Sequence, residues 1–292
     1  MKILRLAAVV LLLALGAIGH AEAKTVMFKV GEMPVTGWLP DDYKTSGKKY
    51  PLLLFSHGFG GCPAQSRFLT EGLAKDGYIV LAPRHHDARC GLASGADVAD
   101  TLGQGLPQQP FRFPYRWTKD TYSDRRDDMI HVLDYALSDK GFKPYVDKEN
   151  IGAIGHSLGG YTVLGLAGAW SDWQEPRIKA VLALSPFSDP YLVHATLKEI
   201  VIPVMFQGGT KDFGITPVLK RSNGVYDNTP KPKYFVDLDG AAHSAWTERS
   251  DTYHGVIYAY SKAFLDHYLK GAAAPLLSEA GGKQLAGYRA DP

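Results

Sequence analysis

Three observations predict an α/β fold with a mostly parallel central sheet and helices on both faces. Strand-like runs alternate with helix-like segments along most of the chain, the order that builds βαβ units. The runs at 51–55 and 78–82 are apolar at every position, as in strands buried on both sides. The segment Gly155-His156-Ser157-Leu158-Gly159 puts a serine between glycines where an apolar strand, 151–154, meets an apolar helix, 158–169.

The first 23 residues read as a signal peptide. Lys2 and Arg5 make a positive start, residues 6–18 form an apolar run short for a membrane span, and Ala21-Glu22-Ala23 supplies a small-x-small cleavage pattern. Residues 24–292 are then expected to form a single domain, exported as a secreted or periplasmic protein. No later stretch is apolar for long enough to span a bilayer, so no integral membrane association is expected. The 292 residues carry 32 basic and 30 acidic side chains, a net charge of +2, which gives no reason to expect nucleic acid or an anionic surface as partner. A monomer is expected. Cys62 and Cys90 are the two cysteines, and export favours a disulfide between them.

Two short strands, 25–30 and 35–39, flank a turn marked by Gly31 and Pro34. The strand at 51–55 leads to a helix over 66–75, which Gly77 stops, and then to the strand at 78–82. Between 84 and 121 glycines and prolines break every period, while Phe111, Phe113, Tyr115 and Trp117 cluster near its end. A structureless stretch this long is usually functional, and aromatics argue against disorder, so a cap over a binding site is expected. A helix over 123–137 has acids in its first turns and a stripe of Ile130, Leu133 and Leu137. Strands are expected at 180–184, 202–206 and 234–238, and a closing helix at 256–269.

The glycine-flanked serine carries the chemistry. A serine on so tight a turn takes strained backbone angles, and side chains two positions away would clash, hence the glycines. The turn lifts the hydroxyl above the sheet edge, where Ser157 is the candidate nucleophile. A serine hydroxyl needs a base. His243 follows the last parallel strand in Gly240-Ala241-Ala242-His243, whereas His254 and His267 belong to the closing helix and His156 points away along the chain. The base needs a carboxylate, and Asp212 follows the strand at 202–206, giving the order Ser, Asp, His. Asp189, one strand earlier, is its rival.

An oxyanion needs two backbone donors. Leu158 N–H, just after the nucleophile, is one candidate. Phe59 N–H is the other, in Ser56-His57-Gly58-Phe59-Gly60-Gly61 after the strand at 51–55. His57 reads as a structural histidine of that loop. Cys62 ends the same loop, and Cys90 ends the loop after the neighbouring strand, so a bridge would brace it. His85-His86-Asp87 is a weak metal set because adjacent residues point apart, and no metal is expected. Tyr161, Phe187 and Trp246 flank these segments and are candidate pocket residues, with core packing as the equal alternative.

On these residues the chain resembles the dienelactone-hydrolase-like group of α/β-hydrolases, especially bacterial members similar to platelet-activating-factor acetylhydrolase. The resemblance is carried by Pro51 to Gly58, Asp128 to Leu133, Ile151 to Thr162, Gly208 to Asp212 and Gly240 to His243. It implies the α/β-hydrolase fold and cleavage of carboxylic esters through a Ser-His-Asp triad and an acyl-enzyme, with no cofactor. The partner is then a small-molecule, lipid or polymer ester. A polyester hydrolase of cutinase type is similar in its Gly-His-Ser-x-Gly-Gly elbow, although the long 84–121 segment departs from the compact cutinase pattern. Dienelactone hydrolases carry a cysteine where Ser157 stands. A peptidase or a non-catalytic binding protein on the same fold are the readings from other classes.

Overall fold

A computed structural model describes residues 22–90, 111–279 and 281–292. Most of the expected signal peptide, 1–21, and the middle of the 84–121 segment lie outside the described residues.

The strands, in chain order, are β1 Ala23–Val30, β2 Met33–Pro40, β3 Tyr50–Ser56, β4 Ile79–Pro83, β5 Val146–His156, β6 Ile178–Leu184, β7 Val204–Gly209, β8 Lys233–Leu238 and β9 Leu285–Asp291. They form one sheet in the order β1-β2-β4-β3-β5-β6-β7-β8-β9. From β4 to β8 every pair is parallel, while β1, β2 and β9 run antiparallel at the two edges. This is the α/β-hydrolase fold. The chain leaves β3 first towards β4 on one side and then returns to β5 on the other. The exits of β3 and β5 therefore lie side by side where the winding reverses, the crevice that open α/β sheets use for ligands.

Apolar strands alternate their side chains between two cores. Leu52 and Leu54 of β3 join the core that holds Met129, Val132 and Leu133 of helix α2, Ser123–Ser138. Leu53 and Phe55 join the opposite core, under helix α1, Arg67–Lys75, and under the C-terminal helix His254–Lys270. Each such side chain, sealed from water, contributes about 1.5–3 kcal/mol, so the sheet is clamped from both faces.

Three elements differ from the sequence reading. Strand β7 begins at Val204 rather than at 202, because Pro203 has no N–H to give the ladder, and it continues through Gly208 and Gly209. The helix expected over 158–169 is α-helical only as α3, Leu158–Leu164, and closes with a wider turn at Gly165–Ala169. The edge strand β9, which pairs with β8, has no counterpart in that reading. On α2 the buried face runs through Arg125, Met129, Val132, Leu133 and Ala136, so the stripe of Ile130 and Leu137 sits at its margin.

Cys62 and Cys90, 28 positions apart in the sequence, are joined by a disulfide, with Cα atoms 5.4 Å apart. The bridge ties the loop after β3 to the loop after β4. Replacing both cysteines by serine is expected to lower the free energy of unfolding by roughly 3 kcal/mol through loop entropy. Urea unfolding measures this, and an unchanged midpoint would count against the bridge as a stabilising tie.

Candidate active site

Ser157 closes β5 with φ 56° and ψ −116°, a conformation that costs an L-residue energy and persists only where neighbours enforce it. The enforcement is steric. A Cβ on Gly159 would stand 1.9 Å from the Ser56 carbonyl oxygen, and one on Gly155 2.1 Å from the Gly159 oxygen. Backbone therefore touches backbone where side chains would otherwise hold the start of α3 away from the ends of β3 and β5. The Ser157 N–H is held by the Leu184 carbonyl at 3.0 Å, and the Ser157 carbonyl accepts from Tyr161 and Phe187 N–H.

His243 follows β8 in a short turn, His243–Trp246, and is buried. Its Nε2 lies 2.9 Å from Ser157 Oγ. Its Nδ1 lies 3.3 Å from Asp212 Oδ2 and 2.8 Å from Ser185 Oγ. A carboxylate only accepts, so Nδ1 carries the proton and the Nε2 lone pair faces the serine. Ser185 donates to Asp212 Oδ2 through a short bond and stands between acid and base. It follows β6 with φ 42°, a left-handed conformation. No motif in the sequence marked Ser185. The one signal was its place at the exit of a parallel strand next to Asp212's.

His156 turns to other partners than Ser157: its Nε2 donates to the His243 carbonyl at 3.0 Å, while its Nδ1 accepts from Gln65 Nε2 at 2.7 Å. Gln65 Oε1 in turn accepts from Gly58 N–H at 3.0 Å. A continuous chain of bonds thus runs from the loop after β3 to the backbone of the base. Burial, with His243 nearby, holds the His156 imidazole well below its ordinary pKa, so it stays neutral as this bonding requires.

The loop after β3 lies against the nucleophile: a Cβ on Gly58 would be 3.4 Å from Ser157 Cβ. Neither Phe59 N–H nor Leu158 N–H, the latter at the first position of α3, donates to a protein acceptor among the described residues. His57 Nδ1 donates to the Gly58 carbonyl at 2.8 Å, and its Nε2 accepts from His85 N–H at 3.2 Å. Burial and the Arg125 charge push His57 down to about 3. The three residues 85–87 turn to separate partners. His85 bonds Ser56 and Asp128, His86 bonds Asp124, and Asp87 pairs with Arg125.

Phe187 is buried, with its ring centroid 5.0 Å from that of Phe111 and 4.9 Å from that of Trp117. Phe111 also packs edge-on against Phe59 at 5.3 Å. The far end of the 84–121 segment thereby builds an aromatic wall between the loop after β3 and the residue that bonds Ser157. Tyr161 and Trp246 are fully buried in the two cores, and their polar atoms are taken by Thr121, Trp170 and Gln207. Their placement is that of core residues.

Residues 115–272, more than half of the chain, match the family described as PET hydrolase-like. The chain belongs to the PET hydrolase-like family. Residues 17–103 match a second family, described as platelet-activating factor acetylhydrolase, isoform II. Curated relatives include Cutinase est2 of Thermobifida alba, 25% identical over 228 residues that cover 77% of this chain and 63% of that protein. Cutinase 2 of Thermobifida cellulosilytica is 24% identical over 231 residues, 78% of this chain and 71% of that one. Dipeptidyl-peptidase 5 of Porphyromonas gingivalis is 28% identical over 167 residues, 56% of this chain and 20% of its own. The chain thus spans less than two thirds of the first of these cutinases.

Within this PET hydrolase-like chain the two candidate acids separate. His243 Nδ1 meets Asp212 and Ser185, and Asp189 lies instead in the first turn of a short helix, α4, Asp189–Val193. Burial raises the Asp189 carboxyl to about 6, so the folded state binds its proton more tightly than the unfolded chain does. That contribution to stability is full below about pH 4 and is lost as pH rises through 6. Asp189→Asn should match wild type near pH 4 and exceed it by ~3 kcal/mol at pH 8 in denaturant titrations. A parallel pH dependence in both proteins would contradict this. Ser185→Ala should lower kcat about 10-fold with little change in KM, since it removes the shorter partner of His243 Nδ1. Steady-state kinetics that match wild type would show the hydroxyl to be dispensable.

Proposed function

We propose that the chain hydrolyses carboxylic esters, with Ser157 as nucleophile, His243 as base, Asp212 as the acid that orients it, and Phe59 and Leu158 N–H as oxyanion donors. The observation that carries this reading is the 2.9 Å contact between Ser157 Oγ and the lone-pair side of His243. In the first half of the cycle Oγ bonds to the ester carbonyl carbon as its proton passes to Nε2. The carbonyl oxygen becomes an oxyanion facing the two free amides. The carbon–oxygen bond to the alcohol then breaks, and the leaving alkoxide takes the proton from His243. In the second half water gives its proton to Nε2 and its oxygen to the acyl carbon. The acid leaves and Ser157 regains its proton. Each oxyanion donor contributes about 3–4 kcal/mol to such a step.

The substrate class follows from two supports. The family description names PET hydrolysis and the curated relatives are cutinases, so polyesters are the extended substrates of choice. Phe59, partly exposed and backed by the buried rings of Phe111 and Phe187, offers an apolar surface for the acyl or aryl part. Export is supported by the apolar N-terminal run with its cleavage pattern and by the Cys62–Cys90 disulfide, which persists in oxidising compartments. Among the described residues no helix is long and apolar enough to cross a membrane. Nothing in the cycle requires a second subunit.

Wild type should turn over p-nitrophenyl butyrate and release acid from polyester film, and Ser157→Ala should lose at least ~10⁴-fold in kcat. Equal rates in both proteins would refute the nucleophile. Binding of esters without turnover in wild type would favour a binding protein on this fold.

A further inference from the structure

We infer that Arg125, clamped by Asp87, is a positioning residue that aims the Phe59 amide at the oxyanion of the Ser157 adduct. The inference rests on the ester-hydrolase reading above and deepens it.

Arg125 enters from α2 and is fully buried. Its Nε and Nη2 meet the two Asp87 oxygens at 3.0 and 2.8 Å, fork on fork. Nη1 lies 3.5 Å from Ser56 Oγ, and two further bonds go to consecutive carbonyls of the loop after β3. Nη1 reaches His57 O at 2.6 Å, and Nη2 reaches Gly58 O at 3.2 Å. A buried ion pair is weak evidence for stability, because an apolar pair of the same volume often serves a fold as well. Its value lies in what it holds.

What it holds is one peptide plane. The Gly58 carbonyl accepts from Arg125 Nη2, from His57 Nδ1 at 2.8 Å and from Gly61 N–H at 2.9 Å. A trans peptide points its C=O and its following N–H in opposite directions. Three donors on the Gly58 oxygen therefore turn Phe59 N–H away from Arg125, and that amide has no protein acceptor among the described residues. Gln65 fixes the other end of Gly58 through its N–H. The open side of Gly58 abuts Ser157.

The clamp matters because the plane lies in a glycine-rich stretch. Gly58 precedes it, and Gly60 follows Phe59 with φ 63°. Rotation of such a peptide is sterically cheap. A flipped plane would present the Gly58 carbonyl oxygen to the developing negative charge, replacing attraction by repulsion. Asp87 neutralises the guanidinium and also accepts from Gly60 N–H at 3.1 Å, which fixes the next peptide too. Burial alone would raise the Asp87 carboxyl, but the Arg125 charge outweighs it and holds the group below its ordinary value, ionised for this pairing.

Arg125→Lys tests the idea, since it keeps the charge and loses the fork. Folding is checked by near-UV circular dichroism. The expected result is a 10- to 100-fold fall in kcat on p-nitrophenyl butyrate, with KM within about 2-fold of wild type. Affinity for a trifluoromethyl ketone, whose adduct with Ser157 carries the oxyanion, should fall by the same factor. Affinity for the corresponding secondary alcohol, which forms no oxyanion, should not change. Asp87→Asn, which preserves side-chain volume, is the second variant if the lysine does not fold, and the same pattern is expected. A folded variant with wild-type kcat and ketone affinity overturns the inference. So does an equal loss of ketone and alcohol affinity, which marks a general disturbance of the pocket. Failure of the underlying reading looks different: wild type and Ser157→Ala would then turn over alike, and both proposals fall.

Discussion

The site depends on one forbidden atom. A Cβ at position 159 would lie 1.9 Å from the Ser56 oxygen, so the backbone of α3 can press onto the end of β3 only because no side chain exists there. That contact fixes how closely the start of α3 approaches the end of β3. It also sets Ser157 in its strained conformation and lays the Gly58–Phe59 peptide beside it. The strain is not relieved locally. It is held by the Leu184 carbonyl, by Phe187 and by the parallel ladder on both sides of β5. Displayed this way, Ser157 already meets His243 Nε2 at 2.9 Å.

Among the histidines around the serine one rule holds, which is that burial keeps the imidazole neutral. His57, His85 and His156 are all buried, and desolvation holds each below its ordinary pKa. Each then offers one N–H and one lone pair, and each spends both in the bonds described. The Arg125–Asp87 pair supplies the fixed charges, and its orientation bonds satisfy what burial would otherwise leave orphaned. The carboxyl of Asp128, raised to about 6 by burial and by Asp124, caps His85 at the outer margin. Neutral histidines around a single serine–histidine contact keep competing protons away from it.

The fold and the triad were legible because each has a local signature. Continuous apolar runs mark parallel strands, and the glycines around Ser157 mark a turn that only they can make. The order Ser, Asp, His then follows from which loops leave one sheet edge. Ser185, Gln65 and Arg125 were not legible for the opposite reason. A serine after a strand, a glutamine in a helical turn and an arginine on an amphipathic helix are ordinary by composition, and their partners lie 27 to 91 residues away. Arg125 is the clearest case. A charge at a helical position reads as solvent-facing, and only Asp87, brought over by the exit of β4, makes its burial tolerable. Strand β9 was missed because an edge strand that is half exposed lacks an apolar run. Tyr161 and Trp246 illustrate the converse: aromatic residues next to functional segments are as often what those segments pack upon.

The loop after β4 is best understood as a template for the loop after β3. Gly58, Gly60 and Gly61 give the loop after β3 conformational freedom, and that freedom would blur the direction of its amides. The neighbouring loop removes that freedom at successive points. Asp87 takes Gly60 N–H, Arg89 N–H takes the Gly61 carbonyl, and Cys90 bonds covalently to Cys62. From the other side Gln65 takes Gly58 N–H and reaches through His156 to the base. The loop after β3 and the turn that carries His243 are thus tied to each other through the protein. Preorganisation of that kind is what lets backbone dipoles stabilise a charge that exists only in the transition state, since little reorientation is left to oppose it.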